Sequence, residues 1–202
     1  HFSKAIGKGL LRSKDFNWGC IPSSTCDLSD LGALFTEEEV QAAINEVPGD
    51  KAPGPDGFTG VFFKECWDII KPKIMLVVNS FSNLHVNNLH WINSANIALI
   101  PKKDGAEDIS DFRPISLIHA VAKLIAKMMA TRLAPHMPEL ISNTHSAFIK
   151  KRSIHNNFMY VRNLARRLHR TKSPTLLLKL DIKKAFNSVR WDYLMYLLHH
   201  HH

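Results

Sequence analysis

Apolar residues recur every three or four positions in several stretches of this chain, which is the spacing of one helix face. The first stretch starts at Thr36-Glu37-Glu38-Glu39, a capping-box pattern, and ends at Pro48-Gly49. Pro72 falls inside the second stretch, where a proline removes one hydrogen bond and is expected to bend the helix. The predicted helices cover about 36–47, 61–83, 121–133, 155–170 and 191–198.

Three short apolar runs predict strands. Residues 95–100 and 111–117 flank the basic turn Pro101-Lys102-Lys103-Asp104-Gly105, so they predict a hairpin with positive charge at its tip. The run Leu176-Leu177-Leu178-Lys179-Leu180 predicts a buried strand that ends in Asp181. Alternate residues share one face of a strand, so one face would be apolar and the other would become polar towards Asp181.

Asp181 is the first candidate for metal chemistry. Burying a carboxylate is costly unless it is paired or binds a cation, and Mg²⁺ prefers oxygen ligands. The alternative is a strand-end Asp that caps the next turn or pairs with Lys183 or Lys184. The local sequence leaves both interpretations open.

The composition is that of a globular protein, since 45% of 202 residues are hydrophobic. No stretch approaches the ~20 apolar residues of a bilayer span, and residues 1–14 lack the apolar region of a secretory signal. We therefore expect an intracellular protein with no membrane partner.

Cys20, Cys26 and Cys66 form no CxxC pair, which predicts reduced thiols. The terminal His199-His200-His201-His202 resembles a purification tag, and the start at His1 indicates a piece of a longer polypeptide.

The formal net charge of +8 favours an acidic partner, with nucleic acid as the first candidate. Arg162 and Arg166 lie opposite the apolar side of the helix predicted over 155–170, where they either follow a phosphate backbone or form a solvated charged face. Lys123 and Arg132 similarly lie off the apolar stripe of the preceding helix.

Five segments together resemble the reverse transcriptases of non-LTR (LINE-type) retrotransposons, especially the plant lineage. They occur in the family's order and cover about residues 36–198. The segments are Lys51-Ala52-Pro53-Gly54-Pro55-Asp56-Gly57, Leu99-Ile100-Pro101-Lys102-Lys103, Asp111-Phe112-Arg113-Pro114-Ile115-Ser116-Leu117, Ser146-Ala147-Phe148-Ile149 with Arg152-Ser153-Ile154, and Leu180-Asp181-Ile182-Lys183-Lys184-Ala185-Phe186-Asn187-Ser188-Val189.

The resemblance implies RNA-directed DNA polymerisation, in which deoxynucleoside triphosphates extend a DNA primer on an RNA template, in the nucleus and cytoplasm. Such phosphoryl transfer depends on positioning and charge neutralisation by divalent ions, here Mg²⁺ or alternatively Mn²⁺. By the match, Asp181 and the Ile182 carbonyl would hold the metal. Phe186 would lie under the sugar of the incoming nucleotide, with a core Phe as the alternative.

The same resemblance places Lys102 and Arg113 on a fingers hairpin that closes on the triphosphate. It also implies that Lys103, next to Lys102, contacts nucleic acid. Taken alone, the two lysines are equally a solvated turn, and Arg113 could form an ion pair with Asp111 or Asp108.

Other predicted nucleic-acid contacts lie outside the hairpin. The resemblance places Asp56 and Gly57 in a template-side loop, although Pro-Gly-Pro-Asp-Gly is also simply a good turn. Arg152, together with Arg162 and Arg166, completes the predicted contact set.

Several positions depart from the common family pattern. Asn187 stands where a second Asp is common, Lys183 where a small residue is common, Lys151 where Gly is common and His145 where Gln is common. These departures are typical of a degenerate copy. No Tyr/Phe-Ala-Asp-Asp sequence occurs, so we expect this chain alone to be catalytically inert, because one Asp does not hold two Mg²⁺ ions. The alternative function is a non-catalytic nucleic-acid-binding module or a remnant of a retrotransposon polymerase.

The predicted fold is α+β, with helices packed on a small antiparallel or mixed sheet, as in the fingers and partial palm of a right-hand polymerase. We expect a lead-in over 1–35, fingers over 36–174, the first palm strand and helix over 175–198, and tag residues at 199–202. An unpartnered palm strand could also expose an edge that invites self-association. The oligomeric state is not indicated.

Overall fold

The computed structural model describes residues 26–83, 89–181 and 189–200. These residues belong to two compact units. The N-terminal unit spans Cys26–Ile141, and the C-terminal unit includes the described residues from Ser142 onward. The predictions for Cys20, Ile182 and Phe186 lie outside the described residues.

Six α-helices, two strands and two short 3₁₀ turns are described in the N-terminal unit. The 3₁₀ turns are Ser29–Gly32 and Ile109–Asp111. The helices and strands are α1 (Glu37–Glu46), α2 (Gly60–Glu65), α3 (Trp67–Ser82), α4 (Leu89–Ile92), β1 (Ala95–Pro101), β2 (Phe112–Ile118), α5 (Ala120–Leu133) and α6 (Met137–Leu140).

The predicted capping box at the start of α1 is confirmed. The Thr36 hydroxyl accepts a hydrogen bond from the Glu39 N–H at 3.3 Å, and the Glu39 carboxylate accepts one from the Thr36 N–H at 2.9 Å. These two bonds satisfy N–H groups that have no partner inside the helix. The local sequence therefore determines where α1 begins.

The predicted single helix over 61–83 is two helices. The break falls at Cys66, which ends α2 and begins α3, whereas Pro72 lies inside α3. Pro72 has no N–H to donate to the carbonyl of Asp68, and Asp68 is an exposed residue in the first turn, where that carbonyl is accessible to solvent. Phe63 and Trp67, on either side of the break, are both buried.

Strands β1 and β2 form the predicted antiparallel hairpin. The register runs from Ala95 opposite Ile118 to Pro101 opposite Phe112. Helices and this small antiparallel sheet together confirm the predicted α+β class.

The hydrophobic core of the N-terminal unit lies mainly between α1, α3 and α5. Its buried residues are Phe35, Val40, Ala43, Ile44, Phe63, Trp67, Ile74, Val78, Leu124, Ile125 and Met128.

The described helices of the C-terminal unit are α7 (Ile154–Arg170) and α8 (Trp191–His200), both close to their predicted positions. The predicted strand at 176–180 is wrong, because this segment forms no regular element and Leu176 is 89% exposed. A strand forms only when its N–H and C=O groups find another strand, and none of the described segments pairs with this one.

No helix in the described parts of the chain is long and apolar enough to cross a bilayer. Cys66 is a free thiol, as predicted for this residue.

Candidate nucleic-acid interface

The β1–β2 hairpin ends in a closed tip that carries the predicted lysines. The Lys102 N–H donates to the Asp111 carbonyl at 2.8 Å, and the Asp111 N–H donates to the Asp108 carbonyl at 2.8 Å. The Lys102 ammonium also donates to the Ser110 carbonyl across the turn. These bonds hold the tip in one conformation, with both lysines exposed.

Among the tip cations, Arg113 differs from the two lysines. Lys103 pairs with the Asp111 carboxylate at 3.1 Å, so the expected alternative partner of Arg113 is already engaged. Arg113 lies opposite Ile100, is exposed, and makes no side-chain hydrogen bond or ion pair with residues 26–83, 89–181 or 189–200. The structure therefore brings Lys102, Lys103 and Arg113 together on one hairpin, and within the described ranges the Arg113 guanidinium has no partner.

The Pro-Gly loop over residues 51–59 is attached to the junction between β2 and α5. The Asp56 Oδ2 accepts a hydrogen bond from the Ala120 N–H at 2.6 Å, so it caps the first residue of α5, and it lies 3.6 Å from His119 Nδ1. The Asp56 side chain is only 14% exposed. Its Oδ1 is buried and has no hydrogen-bond partner within the described residues. The carboxylate therefore anchors the loop, a contact that the turn sequence did not predict.

Two glycines of this loop have different physical roles. Gly54 is buried, and a Cβ atom at this position would lie 2.2 Å from the Ile118 carbonyl oxygen, so only glycine allows the loop to approach β2. Gly57 has a φ of +73° and is exposed, and a Cβ atom there would meet nothing within 4 Å. Gly57 thus supplies the left-handed turn, and its backbone faces solvent.

His119 was not singled out from the sequence. Its Nε2 lies 3.0 Å from the Ser94 hydroxyl, next to the start of β1, and its Nδ1 faces Asp56. Because His119 directly follows β2, its imidazole links the Pro-Gly loop to the start of β1 and to the end of β2. No local pattern indicates this, because the partners are 25 and 63 positions away along the chain.

Arg152 organises its own loop in the C-terminal unit. Its guanidinium donates to the carbonyls of Ser142 at 2.7 Å and His145 at 2.8 Å, and to the Asn143 side chain at 3.2 Å. Lys151, next to it, has a φ of 68°, which is unfavourable for a residue with a Cβ. This conformation explains physically why glycine suits that position.

Arg162 and Arg166 lie one turn apart on α7 and are exposed. Neither side chain has a partner in the described part of the chain. Helix α7 also exposes apolar side chains at Phe158 and Val161, and no described residue of the helix is buried. The two arginines are thus available to an anionic partner.

Asp181 is exposed, at the end of the irregular segment described above. The Asp181 carboxylate supplies oxygen atoms, the type of ligand that Mg²⁺ prefers. However, the described residues contain no cluster of three or more His, Cys, Asp or Glu side chains that could hold a metal ion. The Ile182 carbonyl and Phe186 lie outside the described residues. The residues that the structure describes therefore do not make up a metal centre.

Comparison with known sequences defines the class. The sequence profile of the family "Reverse transcriptase (RNA-dependent DNA polymerase)" matches residues 100–202, which is half of the chain and includes the hairpin tip, β2 and Asp181. The chain belongs to this family.

Its relatives are proteins of retrotransposable elements. The chain is 32% identical over 165 residues to the uncharacterized protein of transposon TX1 from Xenopus laevis, a match over 82% of this chain and 12% of that protein. It is 28% identical over 162 residues to the retrovirus-related Pol polyprotein of a type-2 retrotransposable element from Drosophila melanogaster, a match over 80% of this chain and 15% of that protein.

A third relative is the Pol polyprotein of a type-1 retrotransposable element from Nasonia vitripennis, 28% identical over 148 residues and matched over 72% of this chain and 14% of that protein. The chain thus spans 12–15% of the length of these relatives. The predicted family is confirmed as a reverse transcriptase domain with homologues in non-LTR retrotransposons.

Proposed function

We propose that this chain supplies the fingers, over residues 36–174, and the start of the palm, over 175–198, of an RNA-directed DNA polymerase. Residues 1–35 are the lead-in and residues 199–202 the tag. The family match and the order of the five motifs support this assignment. The residues of those motifs support the plant-like lineage as the finer assignment.

The proposed location is the nucleus and cytoplasm. The proposed substrates are deoxynucleoside triphosphates, a DNA primer and an RNA template. All three carry negatively charged phosphate groups, and the chain carries a formal charge of +8. Phosphate contacts supply most of the sequence-independent affinity for nucleic acid.

The exposed guanidinium of Arg113, which has no partner among the residues that the structure describes, is the observation that carries the proposal. A planar guanidinium donates two parallel hydrogen bonds to phosphate oxygens. Lys102 donates to the Ser110 carbonyl and has no carboxylate partner among the described residues, whereas Lys103 is paired with the Asp111 carboxylate. A hairpin with this arrangement is preorganised for a triphosphate or a nucleic-acid backbone.

Asp181 is proposed as the first metal-binding carboxylate of the palm, with the Ile182 carbonyl beside it and Phe186 under the nucleotide sugar. This assignment rests on the motif match. Bound Mg²⁺ or Mn²⁺ would neutralise charge on the reacting phosphate.

The Pro-Gly loop is the other part of the proposed nucleic-acid contact. In it Asp56 would act as a positioning residue, since it holds the loop that presents Gly57 to solvent.

Binding of single-stranded RNA is expected to fall steeply with salt and to depend on Arg113. Neutralising ~6 phosphates of a single strand should cost roughly 300-fold in affinity between 50 and 200 mM salt. Arg113→Ala should weaken binding and reduce the slope of log K against log salt by about 0.7. Fluorescence anisotropy with a labelled RNA oligonucleotide at four salt concentrations measures both quantities.

Two variants serve as controls for this experiment. Arg113→Lys keeps the charge, so it should keep the salt slope while losing the bidentate contact. Lys73→Ala removes an exposed lysine of α3, outside the hairpin, and should bind like the parent chain. A flat salt response, or equal losses in Arg113→Ala and Lys73→Ala, would contradict the proposed role of the hairpin.

The 202-residue chain is expected to extend no primer on an RNA template with either Mg²⁺ or Mn²⁺. It contains one candidate catalytic Asp and no Tyr/Phe-Ala-Asp-Asp sequence. A radiolabelled primer-extension assay tests this. Extension that Asp181→Ala abolishes would show that the chain has a complete catalytic centre.

The second candidate function is a non-catalytic nucleic-acid-binding module, which includes a degenerate remnant of such a polymerase. The exposed Arg162 and Arg166 on α7, which have no partner among the described residues, favour it. In that case the double variant R162A/R166A should weaken RNA binding more than Arg113→Ala does.

A further inference from the structure

A cavity of about 190 Å³ lies in the N-terminal unit, between the end of α1, the Pro-Gly loop and the start of α5. We call it the α1–α5 cavity. Its lining is predominantly apolar, which makes it unsuitable for a purely ionic ligand such as free phosphate. The apolar residues that define it are Ile44, Val47, Phe58, Phe63 and Leu124.

An aromatic cluster forms one wall of the α1–α5 cavity. The Phe58 ring stacks on Phe62 with the centroids 4.3 Å apart and contacts Phe63 edge to face at 6.3 Å. Phe58 is 46% exposed although its ring lines the cavity. A partly exposed aromatic ring beside a cavity is a feature of binding surfaces, because such rings prefer further aromatic contact.

Two lysines line the same cavity, Lys51 from the loop and Lys123 from α5. Neither side chain has a hydrogen-bond or ion-pair partner within the described residues. By contrast, Lys127, one turn further along α5, pairs with Glu46 at 2.6 Å. The neighbouring Asp56 carboxylate points to the Ala120 N–H and to His119, so it pairs with neither lysine.

The volume of the cavity limits its ligand. An engineered apolar cavity of about 150 Å³ binds benzene, whereas sites for drug-sized molecules measure about 300–1,000 Å³. A space of about 190 Å³ therefore accepts one aromatic ring and little more.

The chemistry of the lining favours a hydrocarbon ring over a nucleobase. Every nucleobase carries several donors and acceptors on its edges, and burying them without partners is unfavourable. Thr59 supplies one hydroxyl to the lining, and that hydroxyl makes no cap hydrogen bond to α2. A Phe side chain has no such groups to satisfy.

We propose that the α1–α5 cavity binds one aromatic side chain of an acidic peptide segment, with flanking Asp or Glu carboxylates on Lys51 and Lys123. The occupant is thus a protein partner, and the site uses none of Lys102, Lys103 and Arg113. Apolar burial supplies the anchor, and the two ammonium groups select acidic neighbours.

A fluorescein-labelled peptide with the sequence Glu-Asp-Phe-Glu-Asp tests the proposal by anisotropy with the full chain. Replacing the peptide's Phe by Ala should weaken binding by about tenfold or more. Lys51→Ala and Lys123→Ala should each weaken it by about two- to fivefold. Ala52→Leu, which fills the cavity from an exposed position, should weaken it by at least about tenfold. Lys73→Ala is the matched lysine control and should leave it unchanged.

Far-UV circular dichroism of every variant checks that the fold is retained. The proposal is overturned if the chain does not bind the peptide at a concentration of about 1 mM. It is equally overturned if the Phe and Ala peptides bind with the same affinity, or if Lys73→Ala weakens binding as much as Lys123→Ala does. It is also overturned if Ala52→Leu leaves peptide binding intact but weakens RNA binding, because the cavity would then be a nucleic-acid site.

Discussion

Replacing Arg132 by Met is expected to lower the free energy of unfolding of the N-terminal unit by about 2–3 kcal/mol. The Arg132 guanidinium makes a bidentate pair with Glu39, with both N···O distances 2.7 Å. It also donates to the carbonyls of Ala33 and Leu34 and lies 3.9 Å above the Phe35 ring. One side chain therefore connects α5, the start of α1 and the segment that leads into it.

The size of this effect follows from burial. The Arg132 side chain is 14% exposed, whereas that of Glu39 is 37% exposed. Removing the guanidinium leaves the Glu39 carboxylate able to recruit water, so the loss stays below the roughly 3–5 kcal/mol typical of a fully buried pair. Met fills most of the apolar space of the Arg stem, so the experiment isolates the hydrogen bonds and the charge.

The effect should depend on pH in a defined direction. Hydrogen bonding to Arg132 holds the pKa of the Glu39 carboxyl below its ordinary range. A lowered carboxyl pKa contributes stability above the unfolded value of ~4.3, and this contribution is lost as the pH falls through the folded value. The difference between the parent chain and Arg132→Met should therefore shrink in acid.

Urea unfolding at pH 7 and pH 3, followed by circular dichroism and by the fluorescence of the buried Trp67, measures this difference. Lys71→Met is the control, because the exposed Lys71–Glu37 pair at 2.8 Å should be worth less than about 1 kcal/mol. Equal losses for the two variants at pH 7 would show that Arg132 is no more important than a surface ion pair.

Gly54→Ala is expected to destabilise the N-terminal unit by about 2–4 kcal/mol and to detach the Pro-Gly loop. The new Cβ would lie 2.2 Å from the Ile118 carbonyl oxygen and 2.9 Å from the His119 nitrogen, both of which are backbone atoms. Backbone atoms cannot rotate away as a flexible side chain can, so the loop must move. Its movement would break the Asp56 cap on Ala120.

Urea unfolding gives the stability loss, and hydrogen exchange of the Ala120 amide reports the cap directly. The amide should lose protection in Gly54→Ala. Gly32→Ala is the matched control, since a Cβ there meets nothing within 4 Å, and its effect should stay within about 0.5 kcal/mol. A Gly54→Ala protein with the stability of Gly32→Ala and a protected Ala120 amide would refute the close approach of the loop.

Elements whose signals lie within a few residues could be predicted from the sequence. The capping box of α1, the hairpin around the Lys102-Lys103 turn and the two long helices α5 and α7 all depend on local capping, turn chemistry or periodicity. The break at Cys66 could not, because no proline or glycine marks it and the helical spacing of apolar residues continues through it.

Residues that the sequence marked for function have different environments in the structure. Within the described residues Arg113 is free, whereas Lys103, which looked equally available, is paired with Asp111. Asp56 and Arg152 are committed to backbone groups of the protein itself. Arg132, which the sequence placed only off the apolar stripe, bonds to Glu39 and to backbone carbonyls ahead of α1.

The sequence alone determined the family, the α+β class, most helix positions and the hairpin with its two tip lysines, because these follow from local motifs and periodicity. Tertiary structure alone decided which charges are free, how the Pro-Gly loop is anchored, and that residues 176–180 form no strand among the described elements. The physical reason is the same in each case. Ion pairs, caps and strand pairing join groups that are distant along the chain, and a local pattern shows one partner only.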